Sequence, residues 1–245
     1  MLCEIWQVCS NQHKKSVVLL RPGAPPPDCG NCVVLCEIPI SSPDFFGRIS
    51  EMEEMREHLN PTSPELRGIV LWGLSGFGKS RLALRYIELY KKEFSTLLWI
   101  DASTFDAAND SFSQAATEIS RLLRGPSPHA ETRRDINLVK NWLAKGTKKS
   151  WLLVIDSVDN LDEIDCCQFI PSSNHGRIII TSTQSRTAAA LNFKGVEVAS
   201  IDEEAGCEML LSKIDVDHDS PRGKYPVLRI YGSLTEFSLA AHPRR

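Results

Sequence analysis

The octapeptide Gly73-Leu74-Ser75-Gly76-Phe77-Gly78-Lys79-Ser80 constrains this chain more than any other segment. It fits G-x-x-x-x-G-K-[ST], and its two flanks differ in period. Residues 68–72 (Gly-Ile-Val-Leu-Trp) are a near-continuous apolar run of strand length. Residues 81–90 carry apolar side chains at 82, 83, 86, 87, 89 and 90, the spacing of a helix with one buried face. A strand that turns through glycines straight into a helix is a narrow specification. Glycine takes the positive φ and close approach such a turn requires. Its main-chain N–H groups can surround an anion, and the helix start adds the positive end of a dipole. Lys79 then offers a point charge to terminal phosphates, and Ser80 offers a hydroxyl to Mg²⁺. Gly73, Ser75, Gly76, Phe77, Gly78, Lys79, Ser80 and Arg81 are the candidate cofactor-binding residues here, with Ser80 a candidate metal ligand.

Further apolar runs without alternation occupy residues 97–100, 151–155 and 177–181, and Val196-Glu197-Val198 is a plausible fifth strand. Helical periods fill 105–124 and 132–144, separated by Gly125-Pro126-Ser127-Pro128. A short charged helix over 51–59 is stopped by Asn60-Pro61. Asp202 opens a helix at about 203–213, with Glu203 and Glu204 in its first turn. Strands of this kind alternating with helices imply an α/β fold: a parallel five-stranded sheet sandwiched by helices in three layers. Residues 1–40 read as an irregular N-terminal arm. Its 21–28 stretch is proline-rich and excludes helix or interior strand, and Val33-Val34-Leu35 is too short to classify. Residues 41–200 form the expected nucleotide-binding domain. Residues 201–245 begin a helical segment and end in a divergent tail, in which 227–231 has the texture of an edge strand.

A magnesium–nucleotide site also needs a carboxylate at the end of a neighbouring strand. Asp156 follows the most apolar strand in the chain and lies 77 residues after Lys79, room for two βα units. Parallel strands with their active loops at one edge bring it to Ser80. Asp156 is thus a candidate metal ligand and catalytic residue; a helix-capping role is the alternative. Asp159 either orients an attacking water as general base or caps the next helix. Ser157 follows Asp156 where a second acid would assist hydrolysis, so binding is the firmer expectation than turnover.

Composition removes several classes. The chain has 28 Lys and Arg against 31 Asp and Glu, a formal charge of −3, which provides no electrostatic footprint for nucleic acid or acidic lipid. No apolar stretch approaches the ~20 residues of a membrane-spanning helix, and no basic segment followed by a long apolar run marks a signal peptide. A cytosolic location is expected. Of eight cysteines, Cys166, Cys167 and Cys207 sit in apolar surroundings and are expected to be buried thiols. Cys29-Gly30-Asn31-Cys32 is a C-x-x-C without a second tight pair, and unpaired thiols are favoured there over a metal or redox site.

With these pieces placed, the chain resembles the NB-ARC branch of the STAND P-loop NTPases, the switch module of NOD-like receptors, and most of all the fungal members, over about residues 43–213. Phe45-Phe46-Gly47-Arg48 resembles the lead-in motif of that family, whose arginine lies by the adenine; the usual following acid is Ile49 here. Residues 73–80 match the Walker A string, and Leu152-Leu153-Val154-Ile155-Asp156 resembles Walker B. Leu98-Trp99-Ile100-Asp101-Ala102 resembles the second-strand motif. Residues 176–183 resemble the fourth-strand motif, which often ends in a γ-phosphate-sensing arginine; Thr183 stands there in this chain, with Arg186 nearby. The resemblance implies ATP or ADP with Mg²⁺ as cofactors, Phe46 and Arg48 as further nucleotide contacts, and a signalling switch with slow ATP hydrolysis at most. It implies a homo-oligomer or full-length relatives as partners. The family continues into a Gly-Leu-Pro-Leu motif and a Met-His-Asp motif. Neither string occurs in this sequence, so the chain reads as C-terminally truncated. A non-catalytic interaction protein is the alternative expectation, and no Asn-Lys-x-Asp string supports a guanine nucleotide.

Overall fold

The computed structural model describes residues 32–40, 44–60, 65–123, 132–146, 150–160, 165–173 and 175–212. In chain order these form β1 (Val33–Val34), α1 (Ile49–His58), β2 (Arg67–Trp72), α2 (Lys79–Tyr90), β3 (Thr96–Asp101), α3 (Phe105–Leu122) and α4 (Thr132–Asn141). There follow β4 (Trp151–Asp156), β5 (Arg177–Ser182), α5 (Arg186–Leu191), β6 (Lys194–Glu197) and α6 (Glu203–Leu211). All six strands pair in parallel, in the order β1-β3-β4-β5-β2-β6.

The apolar runs are continuous because both sheet faces are covered. Alternate residues along each strand point to opposite sides. Val70, Leu98, Ile100, Leu153, Ile155, Ile178 and Ile180 face one core, completed by Phe112 and Ile119 of α3 and Val139 of α4. Ile69, Leu71, Leu97, Trp99, Leu152, Val154 and Ile179 face the other, completed by Met55 of α1 and Leu82, Ala83 and Tyr86 of α2. Helix, sheet and helix therefore stack as the expected three layers.

Four features differ from the sequence expectation. The sheet has six strands rather than five, because Val33 and Val34 pair with Thr96 and Leu97. Two residues show no period of their own; it is the β3 edge that recruits them, and Leu35 and Cys36 are buried just beyond. The last part of the presumed irregular arm is thus docked on the sheet. The short helix α5 was not anticipated, and α4 gives way to a π-helical turn at Trp142–Gly146. Cys166 is buried, but Cys167 is exposed and Cys207 half-buried. Adjacent residues of a 3₁₀ turn at Cys166–Phe169 face different ways. Cys29, residues 125–128 and residues 227–231 lie outside the described residues.

The N-terminal edge of the sheet is fixed by an arginine in the interior. Arg177 at the start of β5 is 0% exposed. Its guanidinium donates to the main-chain carbonyls of Leu59 (3.2 Å), Asn60 (2.9 Å), Glu65 (2.8 Å) and Gly176 (2.6 Å). It thereby ties the end of α1 and the approach to β2 onto β5.

By compactness the chain divides into residues 1–206 and 207–245. Of the second unit, the described residues are the end of α6 and Ser212, whose N–H bonds the Glu208 carbonyl. The start of α6 is capped as expected, the Ala205 N–H reaching Asp202 Oδ1 at 2.8 Å.

Candidate functional site

The C-terminal ends of β2, β4 and β5 converge on the 73–80 loop. β2 lies between β5 and β6, so the strand order puts Asp156 two strands away from the phosphate loop, across the end of β5. The loop is held at its root, where the Gly73 N–H bonds the Ser182 carbonyl at 3.2 Å. A Cβ at Gly73 would stand 2.3 Å from the Val198 carbonyl oxygen, so close backbone packing requires glycine there. Gly76 and Gly78 need glycine for a different reason: their φ values are +81° and +88°, while a Cβ at either would meet nothing within 4 Å. The loop is both left-handed and open. Gly78 is the N-cap of α2, so the first N–H groups of that helix, which have no intrahelical partner, open toward the loop.

Lys79 is the first residue of α2 and is 8% exposed. Its Nζ donates to the carbonyls of Gly73 and Leu74, both at 2.9 Å, which spans the ammonium across the loop. Ser80 Oγ donates to Asp156 Oδ1 at 2.6 Å, the contact expected from the sequence. Thr181 Oγ1, on the intervening strand, donates to the same oxygen at 2.5 Å and accepts the Ser157 N–H at 2.8 Å. Ser157 has φ +66°, unusual for a side chain with a Cβ, and this hydrogen bond secures the turn. Burial raises the Asp156 carboxyl above its ordinary range; the Ser80 and Thr181 hydroxyls lower it, and the Asp101 and Asp159 carboxylates raise it.

The donor set suits a hard divalent cation. A carboxylate and a hydroxyl share one oxygen contact, and the carboxyl's raised proton affinity is what a cation alongside would reverse. Among the described residues no group of three or more His, Cys, Asp or Glu side chains could hold an ion alone. Any Mg²⁺ here would rely on phosphate oxygens and water for most of its shell.

The other expected residues fall differently. Arg48 has φ +62° at the N-cap of α1. Its guanidinium donates to the Phe77 carbonyl at 3.0 Å, the Ala199 carbonyl at 2.5 Å and Glu51 Oε1 at 2.8 Å. It brackets the lead-in segment, the phosphate loop and the exit from β6. The acid that pairs with Arg48 is thus Glu51, two residues past position 49, legible only as an i, i+3 spacing from Arg48. Phe46 is half-buried, and Phe45 packs against the α1–α2 core. Arg81 is exposed and donates to the Asp44 carbonyl. Asp159 caps no helix among the described residues; it is exposed, and its Oδ1 accepts the Thr183 N–H at 2.7 Å. Thr183 and Asp159 therefore brace the β4 and β5 loops against each other. Arg186 opens α5, its Nε donating to Gln184 Oε1 at 2.6 Å. Thr181 was missed because a threonine ending an apolar strand carries no signal until the strand order is known.

No protein-family model matches the chain. Over 180 residues it is 27% identical to a nucleotide-binding leucine-rich repeat (NLR)-like protein of Hyaloscypha variabilis, a match covering 65% of this chain and 17% of that protein. The chain thus spans 17% of the length of that relative. Together with the site, this relative bears out the resemblance to the NB-ARC and STAND type of NTPase domain. Two solved structures are also similar. One is the ORC2 protein of Aeropyrum pernix in ADPNP–ADP complexes, with 16% identity, a TM-score of 0.45, and coverage of 72% of this chain and 54% of that one. The other is a STAND protein with a tetratricopeptide repeat sensor from Pyrococcus horikoshii, with 16% identity, a TM-score of 0.49, and coverage of 82% and 29%. The fold assignment stands on the strand order and phosphate loop of this chain. Among the described residues no helix is long and apolar enough to cross a membrane.

Proposed function

We propose that this chain binds ATP or ADP with Mg²⁺ as the switch domain of a STAND-type signalling protein, in the cytoplasm, and hydrolyses ATP slowly at most. The observation that carries this reading is the junction of Lys79, Ser80 and Asp156 at a left-handed glycine loop, with Ser80 and Asp156 in contact at 2.6 Å. Residues 41–200 would be the nucleotide-binding domain, preceded by the arm of residues 1–40, and 201–245 would begin the helical segment that follows. Homologous copies or longer relatives are the partners this reading favours.

The chemistry follows from the residues. Main-chain N–H groups of residues 76–80 and the α2 dipole would hold the β-phosphate, and Lys79 would exchange its two carbonyl acceptors for phosphate oxygens. Ser80 and Asp156 would hold Mg²⁺, which when bound neutralises phosphate charge. Ser75 and Phe77 shape the loop, and Arg48 joins Phe77 to the β6 exit. A γ-phosphate can bias a conformation only through contacts made in one of two states; Arg48 and Thr181 are positioned to transmit such contacts because each joins two segments of the site.

Hydrolysis is expected to be slow because both acids after β4 are engaged or missing. Ser157 stands in the second acidic position, and the Asp159 carboxylate is tied to the Thr183 N–H. Those two features favour the second reading, a non-catalytic interaction protein. Phosphate release from Mg²⁺-ATP by the parent and by Asp156→Asn separates the two. Slow release by the parent, reduced at least tenfold in the variant, supports the switch with weak ATPase activity. Equal background in both supports the interaction protein.

A further inference from the structure

We propose that Arg48 is a positioning residue for the phosphate loop: its guanidinium grips the Phe77 carbonyl and so aims the Gly78 N–H at the polyphosphate. The proposal rests on the nucleotide reading above and deepens it, giving Arg48 the loop as its target instead of the base.

The Phe77–Gly78 peptide unit is a single plane. Among the described residues no peptide bond is cis, so the Phe77 C=O and the Gly78 N–H point in opposite directions. Arg48 Nη2 donates to that carbonyl at 3.0 Å, which fixes where the N–H on the far side of the plane points. Among the described residues no acceptor takes the Gly78 N–H, and a Cβ on Gly78 would meet nothing within 4 Å. The Phe77 N–H, by contrast, is spent on the Leu74 carbonyl at 3.3 Å. Gly78 is the N-cap of α2 with φ +88°. Its unpaired N–H therefore stands at the positive end of that helix, where an anion is favoured.

Arg48 is itself held by groups anchored to the sheet. The Val198 N–H bonds the carbonyl of Trp72, the last residue of β2, at 2.7 Å. The next residue, Ala199, offers its carbonyl to the same Nη2 at 2.5 Å. From the other side Glu51 Oε1 accepts from Nη1 at 2.8 Å, and the Ser50 hydroxyl donates to Glu51 Oε2 at 2.8 Å. The Arg48 and Glu51 side chains are only 10% and 15% exposed, so both Nη groups are committed to protein acceptors inside the fold. The lead-in backbone has little room to shift: a Cβ on Gly47 would stand 2.9 Å from Ala205 Cβ of α6. Arg48 also keeps φ +62°, a conformation costly for any residue with a Cβ. The cost is the same for lysine or methionine, so exchanging the side chain tests its contacts and not the backbone.

The test uses the full chain, with Mg²⁺-ADP and Mg²⁺-pyrophosphate as probes, the second having neither base nor sugar. Arg48→Met keeps an unbranched side chain and removes its donors. It should weaken both probes equally, by about tenfold, the worth of one misdirected charge-assisted hydrogen bond. Arg48→Lys restores a charged donor and should recover most of the pyrophosphate affinity. In ligand-free Arg48→Met the Gly78 amide signal should move while those of β3 stay in place, the mark of a turned peptide in a folded domain. Glu51→Gln loosens the guanidinium without removing it, and should weaken both probes by one smaller factor. A loss confined to ADP in either variant would make Arg48 a base contact and overturn the proposal, even if Arg48→Met failed to fold. Unchanged affinities or an unmoved Gly78 amide in Arg48→Met would do the same. A parent that binds ADP but not pyrophosphate puts the grip on the nucleoside, again against the proposal. A parent that binds neither overturns the nucleotide reading itself, and this proposal with it.

Discussion

Lys79→Ala is expected to abolish measurable binding of ADP and ATP. The Lys79 ammonium is nearly buried and spans the loop through two carbonyls at 2.9 Å each, so it is already held where a phosphate would lie. A hydrogen bond to a charged group contributes about 1.5–3 kcal/mol. Losing two predicts a fall in affinity of roughly a hundredfold or more. Lys79→Arg should not rescue it fully, because a planar fork does not reproduce a compact point charge. Calorimetry on the parent and both variants checks this, with thermal melts to verify that each is folded. A Lys79→Ala variant that binds ADP as tightly as the parent would remove the site.

The second large effect is on stability. Arg177→Met should destabilise the domain by about 4 kcal/mol, since it strips the guanidinium from the Leu59, Asn60 and Glu65 carbonyls, the Gly176 carbonyl keeping the Arg67 N–H, and each unsatisfied buried acceptor costs ~1–3 kcal/mol before relaxation. For a domain of this size that lowers the melting temperature by roughly 8–16 °C. The site lies at the opposite edge of the sheet, so the folded variant should bind nucleotide within about twofold of the parent. A melting temperature within about 2 °C of the parent would show that water or neighbouring donors replace the guanidinium.

The sequence foretold those parts of the fold whose signal is local. Four strands announced themselves because burial on both faces demands apolar residues at nearly every position, as in residues 151–155, while the edge strand β6 (Lys194–Glu197) showed only as the short 196–198 segment. The phosphate loop was legible because Gly73, Gly76 and Gly78 answer a backbone requirement, and the Ser80–Asp156 contact followed from parallel topology alone. What escaped depends on partners distant in sequence. Val33 and Val34 become a strand only against β3. Arg48 finds the Ala199 carbonyl 151 residues away, and Thr181 matters only because β5 lies between β2 and β4. Asp159 was open between base and cap because its acceptor role needs Thr183, just past the end of β5 and 24 residues later in sequence. Cys167 was misjudged because apolar neighbours in sequence do not fix which way a 3₁₀ turn faces.

The central claim is that main-chain amides at the start of α2 grip a polyphosphate. Amide chemical shifts during a titration with ADP and Mg²⁺ test it most directly. The amide signals of Gly76, Gly78, Lys79 and Ser80 should move together, saturate, and move farther than those of residues at the far edge of the sheet such as Arg67 and Arg177. Unmoved loop amides at millimolar ADP would contradict the account.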